Sequence, residues 1–112
     1  MDFTFTPAQA NIQAQARAFA QNRVAPLARE MDEQGEMPLS LIQEMAALGL
    51  LGGPLPTDYS GGGWDAASLA LCYEELGRAD SSVRGFMTVH TSLVSQYILQ
   101  WGAEEQKRTY LP

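Results

Sequence analysis

The 112-residue chain is poor in the residues that build disulfides and metal centres. Cys72 is its only cysteine, so neither an intrachain disulfide nor a multi-cysteine zinc site can form. Because disulfide frameworks are typical of secreted domains, this scarcity favours a cytoplasmic setting. The only histidine, His90, has no companions at metal-ligand spacing. We therefore expect no metal site.

Positive charge and long apolar runs are also scarce. Seven Lys and Arg residues face thirteen Asp and Glu residues, which gives a net charge of −6. Nucleic acids and anionic membranes attract Lys and Arg, so we expect the chain to bind neither. It has no apolar run of about 18 residues that could span a membrane, and its N-terminus does not resemble a secretory signal. A chain of this length and 46% hydrophobic content predicts one soluble domain over 1–112.

Proline, glycine and capping residues divide the chain into five predicted helices. These run from Pro7 to about Asn22, from about Pro26 to Gln34, from near Pro38 to Gly49, from Asp65 to Gly77, and from a cap at Asp80, Ser81 or Ser82 to Trp101. The stretch 50–64 is rich in glycine and proline and predicts an irregular connection. The pattern as a whole predicts an all-α helical bundle.

Apolar spacing predicts which helix faces are buried. The expected core positions are Ile12, Ala16, Phe19 and Ala20 in the first helix, Leu39, Ile42, Met45 and Leu48 in the third, and Leu69, Cys72, Tyr73 and Leu76 in the fourth. The adjacent Glu74 and Glu75 point about 100° apart, so they are expected to be solvated or paired rather than to share one substrate atom. The Gly61–Gly63 run lacks the G-x-x-x-x-G-K-S/T spacing and the preceding strand of a phosphate-binding loop.

The last predicted helix is apolar over more than half of its circumference. One stripe contains Phe86, Val89, His90, Leu93 and Tyr97, and a second contains Met87, Val94, Ile98 and Trp101. Such a helix is expected to be covered on two sides, and one of them can be a ligand pocket. Periodicity alone favours plain core over a pocket.

Short motifs along nearly the whole chain carry a family resemblance. In order they are FTPAQ, EMDEQGEMP, ALGLLG, PTDYSGGG, YEELGRADSS, HTSL and WGAEEQKRTYLP. Together they resemble the helical N-terminal domain of the flavin-dependent acyl-CoA dehydrogenase family. The resemblance implies that a central β-domain and a C-terminal helical bundle lie outside this chain. It also implies that flavin adenine dinucleotide (FAD) binds between the domains, and that the last helix lines the acyl cavity.

The resemblance also implies a set of substrate-binding residues. Carried over by position, they are Phe86, Met87, Val89, His90 and Leu93, with Thr88 nearby, and none of them can act as the carboxylate base. The segment DSSVRGFMTVHTSLV is similar to glutaryl-CoA dehydrogenases, in which an arginine at the position of Arg84 binds a distal carboxylate and a hydroxyl residue at that of Thr88 supports it. SSVR and TVH also resemble a branch that acts on acyl groups, including hydroxymalonyl units, held by acyl carrier proteins.

Simpler interpretations of two of these residues stay open. Arg84 can be a surface arginine that pairs with Asp80, four positions earlier, and His90 can be a buried, hydrogen-bonded histidine.

The implied chemistry is oxidation of a short acyl thioester, from coenzyme A or an acyl carrier protein, with hydride passing to the flavin and a proton to a glutamate outside this chain. We expect the chain to be inactive alone, as one piece of a longer enzyme that forms a dimer or tetramer. The alternative is a non-catalytic helical interaction module that docks a partner protein or an acyl carrier.

Overall fold

The computed structural model describes residues 1–112 and contains helices but no strand, which confirms the predicted all-α class. The α-helices are α1 (Pro7–Phe19), α2 (Ala28–Gln34), α3 (Leu39–Ala47), α4 (Ala66–Ala79), α5 (Ser81–Met87), α6 (Gln96–Trp101) and α7 (Glu104–Tyr110). Two π-helical segments, Ala20–Val24 and Thr88–Ser95, and short 3₁₀ turns at Ala25–Leu27 and Thr57–Tyr59 complete the fold. No helix is both long enough and apolar enough to cross a membrane.

Side-chain caps fix where α1 and α4 begin. The Thr6 hydroxyl accepts from the Gln9 N–H at 3.2 Å, and the Gln9 side chain accepts from the Thr6 N–H at 2.9 Å. Asp65 caps α4 by accepting from the Ser68 N–H at 2.7 Å. The Gln9 amide also donates to Asp65 at 2.9 Å, which ties the two helix starts together.

Helical winding continues from α1 into α2, so the restart predicted at Pro26 is not a break. Pro26 lies at the start of the 3₁₀ turn Ala25–Leu27, where the turn itself requires no hydrogen bond from its backbone nitrogen. Gly35, with φ of 67°, closes α2 in the left-handed conformation, as predicted.

The core lies where α1, α3, α4 and α5 meet. Its thirteen buried residues are Ala16, Phe19, Ala20, Val24, Met31, Leu41, Met45, Leu50, Leu51, Cys72, Leu76, Val83 and Met87. Two of the four core positions predicted for α3 are wrong: Leu39 and Leu48 are 67% and 45% exposed, and Leu41 is buried instead. The short α3 presents two residues four positions apart, Leu41 and Met45, to the core.

The buried face of α4 includes a carboxylate. Glu75 is only 2% exposed and accepts a hydrogen bond from the Arg17 guanidinium of α1 at 2.7 Å. This hydrogen bond holds the pKa of Glu75 below its usual value, against the opposing effect of burial. Glu75 is therefore paired across helices rather than solvated. Leu69 and Tyr73, expected on the buried face, are half-buried.

The glycine-rich connection is compact and hydrogen-bonded to itself. The amides of Gly61, Gly62 and Gly63 donate to the carbonyls of Pro56, Gly52 and Leu55, respectively, at 2.9–3.1 Å. A Cβ on Gly61 would come within 2.1 Å of the Leu55 carbonyl oxygen, so this close approach requires glycine. Because these amides are already used, the loop does not offer them to a phosphate.

Helix α7 is absent from the sequence prediction, which ends the last helix at Trp101. Tyr59 donates to the Glu104 carboxylate at 3.0 Å, and Arg108 bonds the same carboxylate at 2.8 Å. The guanidinium of Arg108 also lies over the Tyr59 ring, 5.9 Å from its centroid. These contacts hold α7 against the glycine-rich connection.

Candidate functional site

The candidate site lies on the long helix that runs through α5, the π segment Thr88–Ser95 and α6. Asp80 caps its start by accepting from the Val83 N–H at 2.9 Å, and Gly102 follows its end in an extended conformation. Both boundaries agree with the sequence prediction. This helix carries every residue predicted to bind substrate.

Four side chains of this helix face the core, two from α5 and two from the π segment. Val83, Met87, Thr91 and Ser95, here called the core stripe, are all buried at four-residue intervals. In a regular α-helix each such step would turn the stripe by about 40°. The wider winding of the π segment turns the later steps back and keeps Thr91 and Ser95 on the core side.

Two hydroxyls of the core stripe anchor the π segment. Thr91 donates to the Leu51 carbonyl at 2.8 Å, and Ser95 donates to the His90 carbonyl at 2.8 Å. Met87 also belongs to the core stripe, with its sulfur 3.8 Å from that of Cys72. The structure therefore places Met87 beneath the predicted site rather than at its surface.

The side of the helix opposite the core stripe is apolar and exposed. This exposed ridge consists of Val89, Leu93, Val94, Tyr97 and Trp101. The first stripe predicted from 3.6-residue spacing is therefore split in the structure. Its members Val89 and Leu93 lie on the exposed ridge, whereas Phe86 and His90 lie beside it. An uncovered ridge of five large apolar residues is the kind of surface that meets a ligand or another domain.

Arg84 and Thr88 lie on the flank of the helix that faces α4. The Arg84 guanidinium donates to the Thr88 hydroxyl at 3.2 Å, and that hydroxyl donates back to the Arg84 carbonyl at 2.9 Å. The half-buried stem of Arg84 passes over Gly77, where an added Cβ would lie 3.3 Å from its Cδ. Glycine at this position therefore leaves room for the arginine.

Arg84 is the only arginine in the structure without a carboxylate partner. The other five arginines form ion pairs with glutamates at 2.7–3.2 Å. The expected alternative, a pair with Asp80, is not formed, because the Asp80 carboxylate caps the helix instead. A guanidinium held by its stem and one hydroxyl keeps donors free for a planar carboxylate.

Phe86 and His90 form the opposite flank. Their rings stack with centroids 5.9 Å apart and planes at 20°. His90 is exposed rather than buried, which corrects the simpler interpretation of this residue. It borders a cavity of about 310 Å³ whose other walls include Leu55, Ser95 and Leu111.

One polar contact two turns beyond Arg84 on the same helix is absent from the predicted site. The Tyr73 hydroxyl of α4 lies 2.6 Å from the Ser92 hydroxyl. A signal for it exists in the sequence, because Arg84, Thr88 and Ser92 recur at every fourth position. Cys72, in contrast, is no candidate nucleophile, since burial raises the pKa of its thiol to about 12.

This helical architecture has known relatives. A family model described as "Acyl-CoA dehydrogenase, N-terminal domain" matches residues 6–112. The chain therefore belongs to the acyl-CoA dehydrogenase family.

Individual relatives agree with this assignment. The chain is 36% identical over 111 residues to the short-chain specific acyl-CoA dehydrogenase of Clostridium acetobutylicum. The aligned residues cover 99% of this chain and 29% of the relative. It is 39% identical over 109 residues to the mitochondrial short/branched chain specific enzyme of Bos taurus, covering 97% and 25%. The chain thus spans under a third of the length of these relatives.

Solved structures of the family share the fold. Butyryl-CoA dehydrogenase from Megasphaera elsdenii matches with a TM-score of 0.90 and 33% identity, over 99% of this chain and 30% of that one. Glutaryl-CoA dehydrogenase from Mycobacterium smegmatis matches with a TM-score of 0.91 and 33% identity, over 97% and 28%.

Proposed function

We propose that this chain is the substrate-facing N-terminal domain of an FAD-dependent dehydrogenase that oxidises a short acyl thioester bearing a distal carboxylate. The observation that carries the proposal is Arg84, an unpaired and pre-positioned guanidinium beside an exposed apolar ridge. In a chain of net charge −6, with thirteen carboxylates available, an unpaired arginine is well suited to an external anion.

Each group of residues in the site binds a different part of the substrate. The Arg84 guanidinium donates two parallel hydrogen bonds to the distal carboxylate, and Thr88 keeps the guanidinium oriented. Val89 and Leu93 cover the short methylene chain and exclude water from it. The stacked Phe86 and His90 limit the width of the site on the other flank.

The chemical step requires groups that we assign to other domains. The substrate-binding residues named above include no carboxylate that could serve as the base, and the amides of the glycine loop are already hydrogen-bonded. We infer that a β-domain and a C-terminal helical domain hold the FAD and supply the base, in a dimeric or tetrameric enzyme. Bound FAD supplies the hydride acceptor, and this chain alone is inactive.

The test is substitution of Arg84 in the complete flavoenzyme. Arg84→Gln should raise KM for glutaryl-CoA by about 10- to 150-fold, the equivalent of a lost hydrogen bond to a charged group. KM for butyryl-CoA and the flavin absorbance should stay unchanged. Arg29→Gln is the matched control, because Arg29 is 91% exposed and pairs only with Glu33. An equal rise of KM for both substrates would contradict the carboxylate assignment.

Assays of the same complete flavoenzyme also distinguish the two possible carriers of the acyl group, coenzyme A and an acyl carrier protein. Malonyl-type or glutaryl groups on coenzyme A and on an acyl carrier protein should be compared as substrates, since the site described here contacts only the acyl part.

The exposed ridge also supports a second candidate, a non-catalytic module that docks a partner protein or an acyl carrier. Native purification separates the two. Copurification with further family domains and a yellow flavin supports the enzyme. A colourless chain that takes up no flavin when those domains are supplied supports the module.

A further inference from the structure

A pair of hydroxyls bridges α4 and the long helix at the exposed seam between them. The oxygens of Tyr73 and Ser92 lie 2.6 Å apart, and either can be the donor. No other oxygen-to-oxygen hydrogen bond joins side chains of these two helices. The Tyr73 ring is half-buried against the core, so its hydroxyl is carried to the seam by a fixed side chain.

This pair continues the polar row that begins at Arg84. Arg84, Thr88 and Ser92 follow one another at four-residue intervals, and in a regular α-helix Ser92 would be turned by about 80° from Arg84. The π winding of Thr88–Ser95 offsets this turn and keeps Ser92 on the flank of Arg84 that faces α4. On α4, Gly77 lies against Arg84, and Tyr73, one turn earlier, meets Ser92.

We infer that Tyr73 and Ser92 are specificity-determining residues of the acyl site, which favour a short acyl group with a polar end over a straight apolar chain. The inference rests on the proposed function and assigns it two further residues. Two hydroxyls that share one hydrogen bond keep a second O–H, which can donate to an oxygen of the acyl group.

An apolar chain that entered the seam would lose these contacts. It would have to break the Tyr73–Ser92 hydrogen bond or leave the hydroxyl oxygens against methylene groups, and unpaired polar groups are strongly disfavoured. Sites built from hydrogen-bonding groups reject analogues that lack the matching polar group for this reason.

The experiment is Tyr73→Phe in the complete flavoenzyme, with kcat/KM measured for glutaryl-CoA and for hexanoyl-CoA. The ratio of the two values should fall about fivefold, the equivalent of one net hydrogen bond. Ser92→Ala should act in the same direction. The double variant should show little more than the larger single effect, because the two hydroxyls act as one pair.

Tyr59→Phe is the matched control. It also removes a phenolic hydroxyl that donates a hydrogen bond, at 3.0 Å to Glu104, but on the glycine-rich connection. Its substrate ratio should equal that of the unaltered enzyme. Flavin absorbance and Tm are recorded for every variant, so that loss of folding is recognised.

The outcomes separate this inference from the proposed function. If the unaltered enzyme oxidises acyl thioesters but Tyr73→Phe leaves the ratio unchanged, or lowers both values equally, the specificity role is overturned and the proposed function stands. If the complete protein binds no flavin and oxidises no acyl thioester, both are overturned.

Discussion

Arg17 and Glu75 form the only ion pair of the fold with a buried member, and Arg17→Ala tests what that pair contributes. Glu75 is 2% exposed, whereas Arg17 is 47% exposed, and their atoms lie 2.7 Å apart. Removing Arg17 leaves a buried carboxylate without its charged donor. A hydrogen bond to a charged group contributes roughly 1.5–3 kcal/mol. Because Arg17 is half-exposed, solvent screens part of this interaction, and we expect Arg17→Ala to lower the free energy of unfolding by about 2 kcal/mol.

The loss should be measured at several pH values. Arg17 holds the pKa of Glu75 below its ordinary value of 4.5, so the pair stabilises the fold above the pKa of the unfolded chain. This contribution disappears as the pH falls through the lowered pKa of the folded state. The gap in free energy of unfolding between the unaltered chain and Arg17→Ala should therefore be full at neutral pH and should close in acid, as the pH falls through the lowered pKa of Glu75.

Urea unfolding followed by far-ultraviolet circular dichroism gives the free energies. A loss of about 2 kcal/mol corresponds to a fall in Tm of about 8 °C for a chain of this length. Arg29→Ala is the control, since its pair with Glu33 is exposed on both sides and should contribute less than about 0.5 kcal/mol. An Arg17→Ala chain as stable as the control, or a gap that persists in acid, would refute the reasoning.

Three further perturbations have outcomes fixed by the structure. Gly61→Ala should destabilise the chain by about 1–3 kcal/mol, because the added Cβ would clash with the Leu55 carbonyl. Gly85→Ala, at a helical position with open space around it, should stabilise the chain by about 0.5–1 kcal/mol. Urea unfolding of both variants compares the two effects. Thr91→Val should lower stability by about 1–3 kcal/mol by leaving a buried carbonyl unpaired, and the same change at the exposed Thr109 should have little effect on Tm. Cys72, with its raised pKa, should react with iodoacetamide only after urea unfolding, and rapid labelling of the native chain would contradict its placement in the core.

Local chemistry made much of the fold predictable. Thr6, Asp65 and Asp80 begin helices because their side chains accept amide hydrogen bonds within three residues, and Gly35 ends one because it tolerates a positive φ. These effects need no partner from elsewhere in the chain, so the sequence contains all that determines them.

Features that depend on distant partners were not predictable in this way. The burial of Glu75 requires Arg17, 58 positions earlier, and α7 is held by contacts of Glu104 with Tyr59, 45 positions earlier. Helix α7 also has no apolar periodic face by which it could be recognised.

The candidate site was predictable only in part for a different reason. The order of motifs indicated the helix that carries the candidate site, and the four-residue spacing of Arg84 and Thr88 gave their contact. The assignment of faces assumed 3.6 residues per turn, and the π segment departs from that period. For this reason Ser92 joins the Arg84 flank, whereas Met87, still in the regular helix α5, is buried because it lies one turn after Val83.

The π segment also determines how the length of this helix can vary. Four positions at four-residue intervals, from Val83 to Ser95, are buried against the core. The wide π turns hold an extra residue, so removing one residue within Thr88–Ser95 restores regular α winding without rotating Gln96–Trp101. A residue added within the regular helix Gln96–Trp101 instead rotates the positions after it by about 100° and carries one edge of the exposed ridge into the interior. The exposed ridge therefore tolerates a change of helix length within the π segment better than one after it.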